Sequence, residues 1–409
     1  MMISVEKALK TILVHFRPLG LETVNILEAR ARIIGENIVA PRNIPSAANS
    51  AMDGYAVCHA DVKNLPATLK IIEDIPAGKI ARKKVNRGEA ARIMTGAVIP
   101  RGADTVIRQE DTQKDGKTVI IFAGAKKGDN IRLAGEDVRK GEKVIRKGDI
   151  LRPAHIGMLA ALGRTSVSVY RKPRVAILST GDELVDIKTN PGPGKIVNSN
   201  SYSLAAQVME CGAAPVMLGI ARDKRSDLEK KFRQALRADV IISSGGVSVG
   251  DFDFVKNIMG EIGNAMHFWQ VAMRPGKPLA FGAIEGVPLF GLPGNPVSAM
   301  VSFEQFVRPA LLKMLGHKKI FRQTIRAVCA DTFEKKAGFR HFIRAVVRAE
   351  NGRYVATITG DQGSGILKSM VAANGLIVME EDRTRIKKGE PVTVQLLDDS
   401  PSWSEFLRL

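Results

Sequence analysis

From residue 173 to about 318, short apolar runs alternate with amphipathic stretches, and glycine, serine or aspartate punctuates the junctions. This rhythm constrains the fold more than any other feature of the chain. Runs at 174–179, 214–220, 239–243 and 266–273, and a pair within 279–292 turning at Glu285-Gly286, read as strands. Residues 201–212, 226–237, 253–262 and 296–315 read as helices. Buried strands alternating with helices hide both faces of a sheet only if it is largely parallel with helices above and below. A doubly wound α/β domain is therefore predicted. Ser226-Asp227-Leu228-Glu229 has the spacing of a capping box, and Pro296 and Gly316 punctuate the last helix.

The flanks obey other rules. Residues 5–16, 24–35 and 153–163 have helical patterns. Between 46 and 141 short β-like runs at 69–72, 105–107 and 118–122 are separated by Gly, Asp and Lys turns, which predicts a small β-rich domain. After His317 come runs at 325–329, 342–348, 354–359, 376–379 and 392–397, with Asn351-Gly352 as a hairpin signal, so residues 319–409 read as a separate β domain. A chain of 409 residues is expected to form roughly two to four domains.

Charge and composition narrow the function. The formal net charge is +19, a field that attracts anions. Aromatics make up 5% of the chain and no long lysine or arginine block occurs, which argues against a base-stacking nucleic-acid surface. Cys58, Cys211 and Cys329 lie far apart without a CxxC pair and read as buried free thiols, not as a zinc site or disulfide framework. No apolar stretch approaches the ~20 residues of a membrane span, and residues 1–13 lack a signal-peptide core. A cytoplasmic protein without nucleic-acid or membrane partners is expected.

Three loops carry the chemistry. Ser243 through Asp253 follows a buried strand and precedes a helix; its glycines let backbone N–H groups approach an anion closely, at the sheet edge where open α/β domains bind ligands. Asp251 and Asp253 there would suit helix capping. They would also repel a phosphate about 4 Å away by roughly 4 kcal/mol, so phosphate binding at this loop calls for a divalent cation, Mg²⁺ by the oxygen-only ligand set. Ser179 through Leu184 follows another strand on the same edge, and Asn198 to Ser201 offers caps or ligand donors. Arg274-Pro275-Gly276-Lys277-Pro278 carries two cations on a stiff turn, while in Gly291 through Ser298 Asn295 is placed as an N-cap and Pro296 as the first helical residue. Two fixed cations beside a helix start suit a tetrahedral oxyanion.

Pro45-Ser46, Ser50 through Ala56, Met94-Thr95-Gly96-Ala97, Asn130-Ile131-Arg132 with Gly135-Glu136-Asp137, and the loops above occur in one order. In this the chain resembles the molybdopterin molybdenumtransferase (MoeA) family, relatives of the gephyrin E domain, over essentially its whole length. The resemblance implies a homodimer of four-domain subunits: domain I from 1–45 and 142–172, an elongated dimerisation element; β-rich domain II from 46–141; α/β domain III from 173–318; and C-terminal β-barrel domain IV from 319–409. It implies an active site between domain III of one subunit and domains II and IV of the other. It further implies Mg²⁺-dependent cleavage of adenylylated molybdopterin, release of AMP and insertion of molybdate, with possible contacts to other molybdenum cofactor biosynthesis proteins. By matching position, Asp53, Thr95, Glu183, Asp223 and Asp253 resemble the catalytic group, and Asp251 and Asp253 the metal ligands. Gly245, Gly246, Ser248 and Gly250 resemble the pterin-phosphate cradle. Arg274, Lys277, Pro293, Pro296 and Ser298 resemble the molybdate pocket, with Arg344 and Ser369 joining from the last domain. Arg274 stands where many relatives have Lys, Gln270 where some have Lys, and Asp251 where Glu is frequent, which bears on oxyanion preference; molybdate and tungstate are not separated. Molybdopterin adenylylation and a non-catalytic gephyrin-like scaffold are the alternative functions.

Overall fold

The computed structural model describes residues 2–245 and 265–397. The chain divides into two compact units, one of residues 1–24, 31–35 and 168–409, the other of 25–30 and 36–167.

In the first unit, the α/β sheet contains β1 (Arg174–Thr180), β2 (Ala214–Ala221), β3 (Val240–Ser244), β4 (Ala265–Gln270), β5 (Pro278–Ile284) and β6 (Val287–Leu292), in the order β2-β1-β3-β6-β5-β4. The first four in that order are parallel, as the apolar runs predicted. The pair β5–β6 forms an antiparallel hairpin, and β4 pairs antiparallel with β5 at the sheet edge. Glu285 at φ 48° and Gly286 at φ 81° make the hairpin turn.

Side-chain alternation builds two cores from the same strands. Val175, Ile177, Val240 and Ile242 face one core with α1 (Val5–Leu13), α2 (Asn200–Glu210) and the helical run from Pro296. Ala176, Leu178 and Ile241 face the other, covered by Leu228, Phe232 and Ala235 of α3 (Arg225–Ala235). The long helix expected from Pro296 is α4 (Pro296–Ser302), a π-helical turn Phe303–Val307, and α5 (Arg308–Met314), with Gly316 at φ 83° beyond. Buried Glu304 in the π turn accepts from Arg322 at 2.9 Å and from Gln207 at 2.8 Å.

The C-terminal β region is a closed barrel, as the family resemblance implied. Its strands are β7 (Thr324–Cys329), β8 (Arg340–Glu350), β9 (Arg353–Ile358), β10 (Gly375–Met379) and β11 (Pro391–Leu396). Pairings run β8-β9-β7-β11-β10 and return to β8. The two-residue strand Met273–Arg274 adds to β8 in parallel, with Arg274 opposite His341.

The second unit holds the expected β-rich sheet. Its strand order is Thr105–Arg108, Gly54–Val57, Glu89–Ile93, Ala67–Ile75, Thr118–Ile121, Thr112–Asp115. The helix expected at 153–163 is Pro153–Ala161.

Some expectations fail. Residues 24–35 are not a helix: Leu21–Asn25 is a strand, Ala31 sits at φ 63°, and Ile34 bridges Val169, so non-local pairing overrides local propensity. The capping box at Ser226–Glu229 does not form. The α3 N-cap is Lys224, the Asp227 carboxylate accepts from the Arg222 N–H at 2.8 Å, and Glu229 pairs with Arg225. Cys211 and Cys329 are buried, but Cys58 is part-exposed. Burial pushes the Cys211 thiol up to about 12, which keeps it inert. Among the described residues, no helix is long and apolar enough to cross a membrane.

Candidate functional site

The carboxyl ends of β1 and β3 meet the loop after β6, as the topology of an open parallel sheet requires. Gly245 leaves β3 at φ 88°, and a Cβ there would lie 2.6 Å from the Thr180 carbonyl oxygen, so only glycine fits. Its N–H donates to the Leu292 carbonyl at 3.1 Å. The Asn200 amide donates to Ser244 Oγ and to the Gly294 carbonyl, both at 2.8 Å. Ser179 Oγ meets Ser201 Oγ at 2.8 Å and Asn198 Oδ1 at 3.0 Å. The Asn198 side chain also accepts the Ser201 N–H in the first turn of α2, whose N-cap is Ser199, while Asn200 ties three loops together.

These loops enclose a cavity of about 400 Å³ that includes Thr180, Glu183, Gly245, Pro293, Asn295 and Pro296 in its lining. Among the described residues, the buried atoms Thr180 Oγ1, Ser243 Oγ and Asn200 Oδ1 have no hydrogen-bond partner. Buried polar atoms are rarely left so unless a ligand or water completes them. Asp223 does not line this cavity; its carboxylate accepts from the Asp182 N–H at 3.2 Å, and Asp182 Oδ1 accepts from the Asp223 N–H at 3.3 Å, which fastens the turn before Glu183. Gly246, Ser248, Gly250, Asp251 and Asp253 lie outside the described residues.

A second cavity, also of about 400 Å³, shares Pro278 and Asn295 with the first and lies between the 274–278 turn, the start of α4 and the barrel. Arg274, Lys277, Ser298 and Arg344, grouped by the family resemblance, line it together, whereas Pro293 and Pro296 of the same expected pocket line the first cavity. Gly276 holds the turn at φ 103°, where a Cβ would stand 2.5 Å from Ser302 Oγ. Arg344 is only 1% exposed, and burial lowers its guanidinium from the usual range without discharging it. It donates to Ser369 Oγ at 3.1 Å and to the Gly363 carbonyl at 3.0 Å. Ser369 is absent from the cavity lining; it accepts from Arg344 and donates onward to the Ile366 carbonyl at 2.7 Å. Among the described residues, no carboxylate lines this cavity or forms an ion pair with Arg274, Lys277 or Arg344.

Sequence reasoning missed His341, Gln362 and Ser364, which also line the cavity. His341 is brought there by its register with Arg274. Burial, then the charges of Lys335 and Arg274, push its imidazole down to about 4, so it is neutral at physiological pH. Asn295 occupies the N-cap position but makes no side-chain cap bond, and it lines both cavities instead.

In the other unit, Asp53 and Thr95 form their own pair. The Asp53 carboxylate accepts the Thr95 N–H at 2.7 Å and its hydroxyl at 2.8 Å. Those bonds hold the Asp53 carboxyl below its ordinary range. Among the described residues, no three His, Cys, Asp or Glu side chains cluster as metal ligands.

Three family models match the chain: the MoeA N-terminal region (domains I and II) over residues 3–163, a probable molybdopterin binding domain over 176–313, and the MoeA C-terminal region (domain IV) over 326–397. The molybdopterin molybdenumtransferase of Haemophilus influenzae is 38% identical across 92% of this chain and 94% of its own length. This chain belongs to the MoeA family. The molybdopterin molybdenumtransferase of Bacillus subtilis is 36% identical over 97% of the chain and 94% of its own. The crystal structure of a molybdopterin biosynthesis MoeA protein from Pyrococcus horikoshii superposes with a TM-score of 0.85 at 32% identity, covering 98% of this chain and 100% of that one.

Proposed function

We propose that this MoeA-family chain is a molybdopterin molybdenumtransferase: it takes adenylylated molybdopterin and molybdate, releases AMP and leaves molybdenum on the pterin. The observation that carries the reading is the second cavity. Its three cations, Arg274, Lys277 and Arg344, stand with the Ser298 hydroxyl and without a lining carboxylate among the described residues. A cavity of that charge is suited to a tetrahedral dianion, which accepts hydrogen bonds and donates none. The shared edge at Pro278 and Asn295 would put such an oxyanion beside whatever occupies the glycine-lined cavity. We assign that neighbour to the pterin nucleotide, with Gly245 and the loop through Gly250 approaching its phosphates and the unpartnered Thr180 and Asn200 oxygens accepting its polar hydrogens.

Each residue then has a task. Arg344, fixed by Ser369, Lys277 and Arg274 orient the oxyanion and offset its charge as it approaches an anionic partner. Glu183 lines the nucleotide cavity, and we assign it to the catalytic group there. Mg²⁺, held by Asp251 and Asp253, would neutralise charge on the diphosphate. Asp53, Thr95, the homodimer and contacts with other cofactor-assembly proteins belong to the same proposal.

The test is AMP release from adenylylated molybdopterin with Mg²⁺ and molybdate. The wild-type protein should release AMP only when molybdate is present. Lys277→Ala should raise the KM for molybdate at least about tenfold, the order expected for losing one charge-assisted contact. Molybdate-independent release, or ATP consumption with adenylylation of molybdopterin, would refute the assignment in favour of the preceding step.

A further inference from the structure

Arg274 and Lys277 are exposed cations on one short turn, and like charges that close should splay apart. What faces them is a ring. The Arg274 guanidinium carbon lies 4.9 Å from the centroid of Phe339, and Lys277 Nζ lies 5.9 Å from it. Both distances fall within cation–π range. We propose that Phe339 is a positioning residue of the oxyanion cavity, ordering Arg274 and Lys277 through the face of one aromatic ring in place of a carboxylate. This rests on the oxyanion reading given above and deepens it.

The chemistry explains why a ring belongs there. A carboxylate would order the two side chains equally well, but it would cancel their charge and repel an arriving dianion. An aromatic quadrupole attracts cations while adding no net charge. The cavity therefore keeps its full positive field with its cations already in place, so less ordering entropy is lost when the anion binds.

The backbone that carries the ring is tied down on both sides. The Phe339 carbonyl accepts from Lys335 Nζ at 2.8 Å, and Gly338 N–H donates to the Glu381 carbonyl at 2.9 Å. On its other side, Arg340 N–H donates to the Ala272 carbonyl at 2.9 Å, beginning the register that sets Met273 against Arg340 and Arg274 against His341. Ring and cations thus share one backbone frame. Phe339 does not line the cavity, and it acts only through the two side chains that do.

The experiment is calorimetric titration of the full-length protein with sodium molybdate at low ionic strength, with thermal melts run alongside. Phe339→Leu keeps an apolar side chain without the quadrupole and should weaken binding by about two- to fivefold, the range of cation–π contacts at exposed sites. Phe339→Tyr should bind within about twofold of wild type, since it keeps the π face. In AMP release, Phe339→Leu should raise the KM for molybdate with little change in kcat, the mark of lost uniform binding. If Phe339→Leu melts early, Phe339→Met carries the same comparison. Wild-type affinity in a folded Leu or Met variant overturns the proposal, and so does a Tyr variant that loses as much as Leu. No binding of molybdate by the wild-type protein at any concentration sinks the oxyanion reading itself, and the role of Phe339 with it.

Discussion

Replacing Arg344 with Met separates binding from scaffolding. The side chain is 1% exposed and, among the described residues, donates to two uncharged acceptors, Ser369 Oγ and the Gly363 carbonyl. Burying an unpaired guanidinium costs several kcal/mol. The two hydrogen bonds return about 1.5–3 kcal/mol each, and methionine fills similar volume without polar atoms. The two contributions nearly cancel, so the ligand-free protein should change stability by no more than about 1 kcal/mol, a shift of ~1 °C in Tm for a chain of 409 residues. Oxyanion binding has no such compensation. A dianion about 5 Å from the guanidinium gains some 6–7 kcal/mol at an effective dielectric of 20, and solvent competition leaves roughly half of that. Affinity for molybdate should therefore fall on the order of 100-fold. Paired melts and calorimetric titrations read the two effects on the same preparation, and Arg344→Lys, which keeps the charge but not the fork, should fall between wild type and Met. A Tm lowered by more than about 8 °C with molybdate affinity intact would mean that Arg344 supports the barrel and has no part in anion binding.

Two further outcomes follow from the cavity walls. Gly276→Ala forces a side chain into positive φ and against Ser302 Oγ; it should cost about 1–3 kcal/mol and weaken molybdate binding by moving Arg274 and Lys277, and a variant neutral on both counts would remove the turn from the argument. His341, pushed down to about 4 from 6.5, binds fewer protons folded than unfolded, so the stability from its neutral ring is complete above pH 6.5 and is lost as pH falls towards 4. Relative to His341→Gln, the wild-type protein should thus lose about 2 kcal/mol between pH 7.5 and pH 5, measured by denaturant unfolding; parallel pH curves for the two would show that the imidazole is not held neutral.

The parallel strands were readable because Val175 to Leu178 and Val240 to Ile242 are apolar on both faces, a pattern that only a doubly covered sheet satisfies. The 279–292 hairpin was readable because Glu285-Gly286 interrupts two apolar runs. Residues 24–35 were misread because a helical pattern there yields to pairing with Ser168 and Tyr170 and to the left-handed Ala31. The capping box was misread because the helix starts before Ser226, at Arg225, and Glu229 pairs with the Arg225 guanidinium. At the site, Arg274, Lys277 and Ser298 were legible from local turn chemistry, and Arg344 and Ser369 only through the family resemblance. His341 and Phe339 carried no local signal. What recruits them is the pairing of Met273–Arg274 with β8, a contact across some 70 residues.

Local order in the amino acids settles what depends on neighbours: where strands and helices run, where glycine must turn the chain, and that two cations sit beside a helix start. Whether Arg344 is a surface arginine or a buried charge without an ion-pair partner among the described residues, and whether a phenylalanine fills a core or faces two cations beside a cavity, depends on dielectric and distance. Those quantities exist only after the barrel has closed and segments remote in the chain have come within a few ångströms, because burial and Coulomb attraction act through space and not along the backbone.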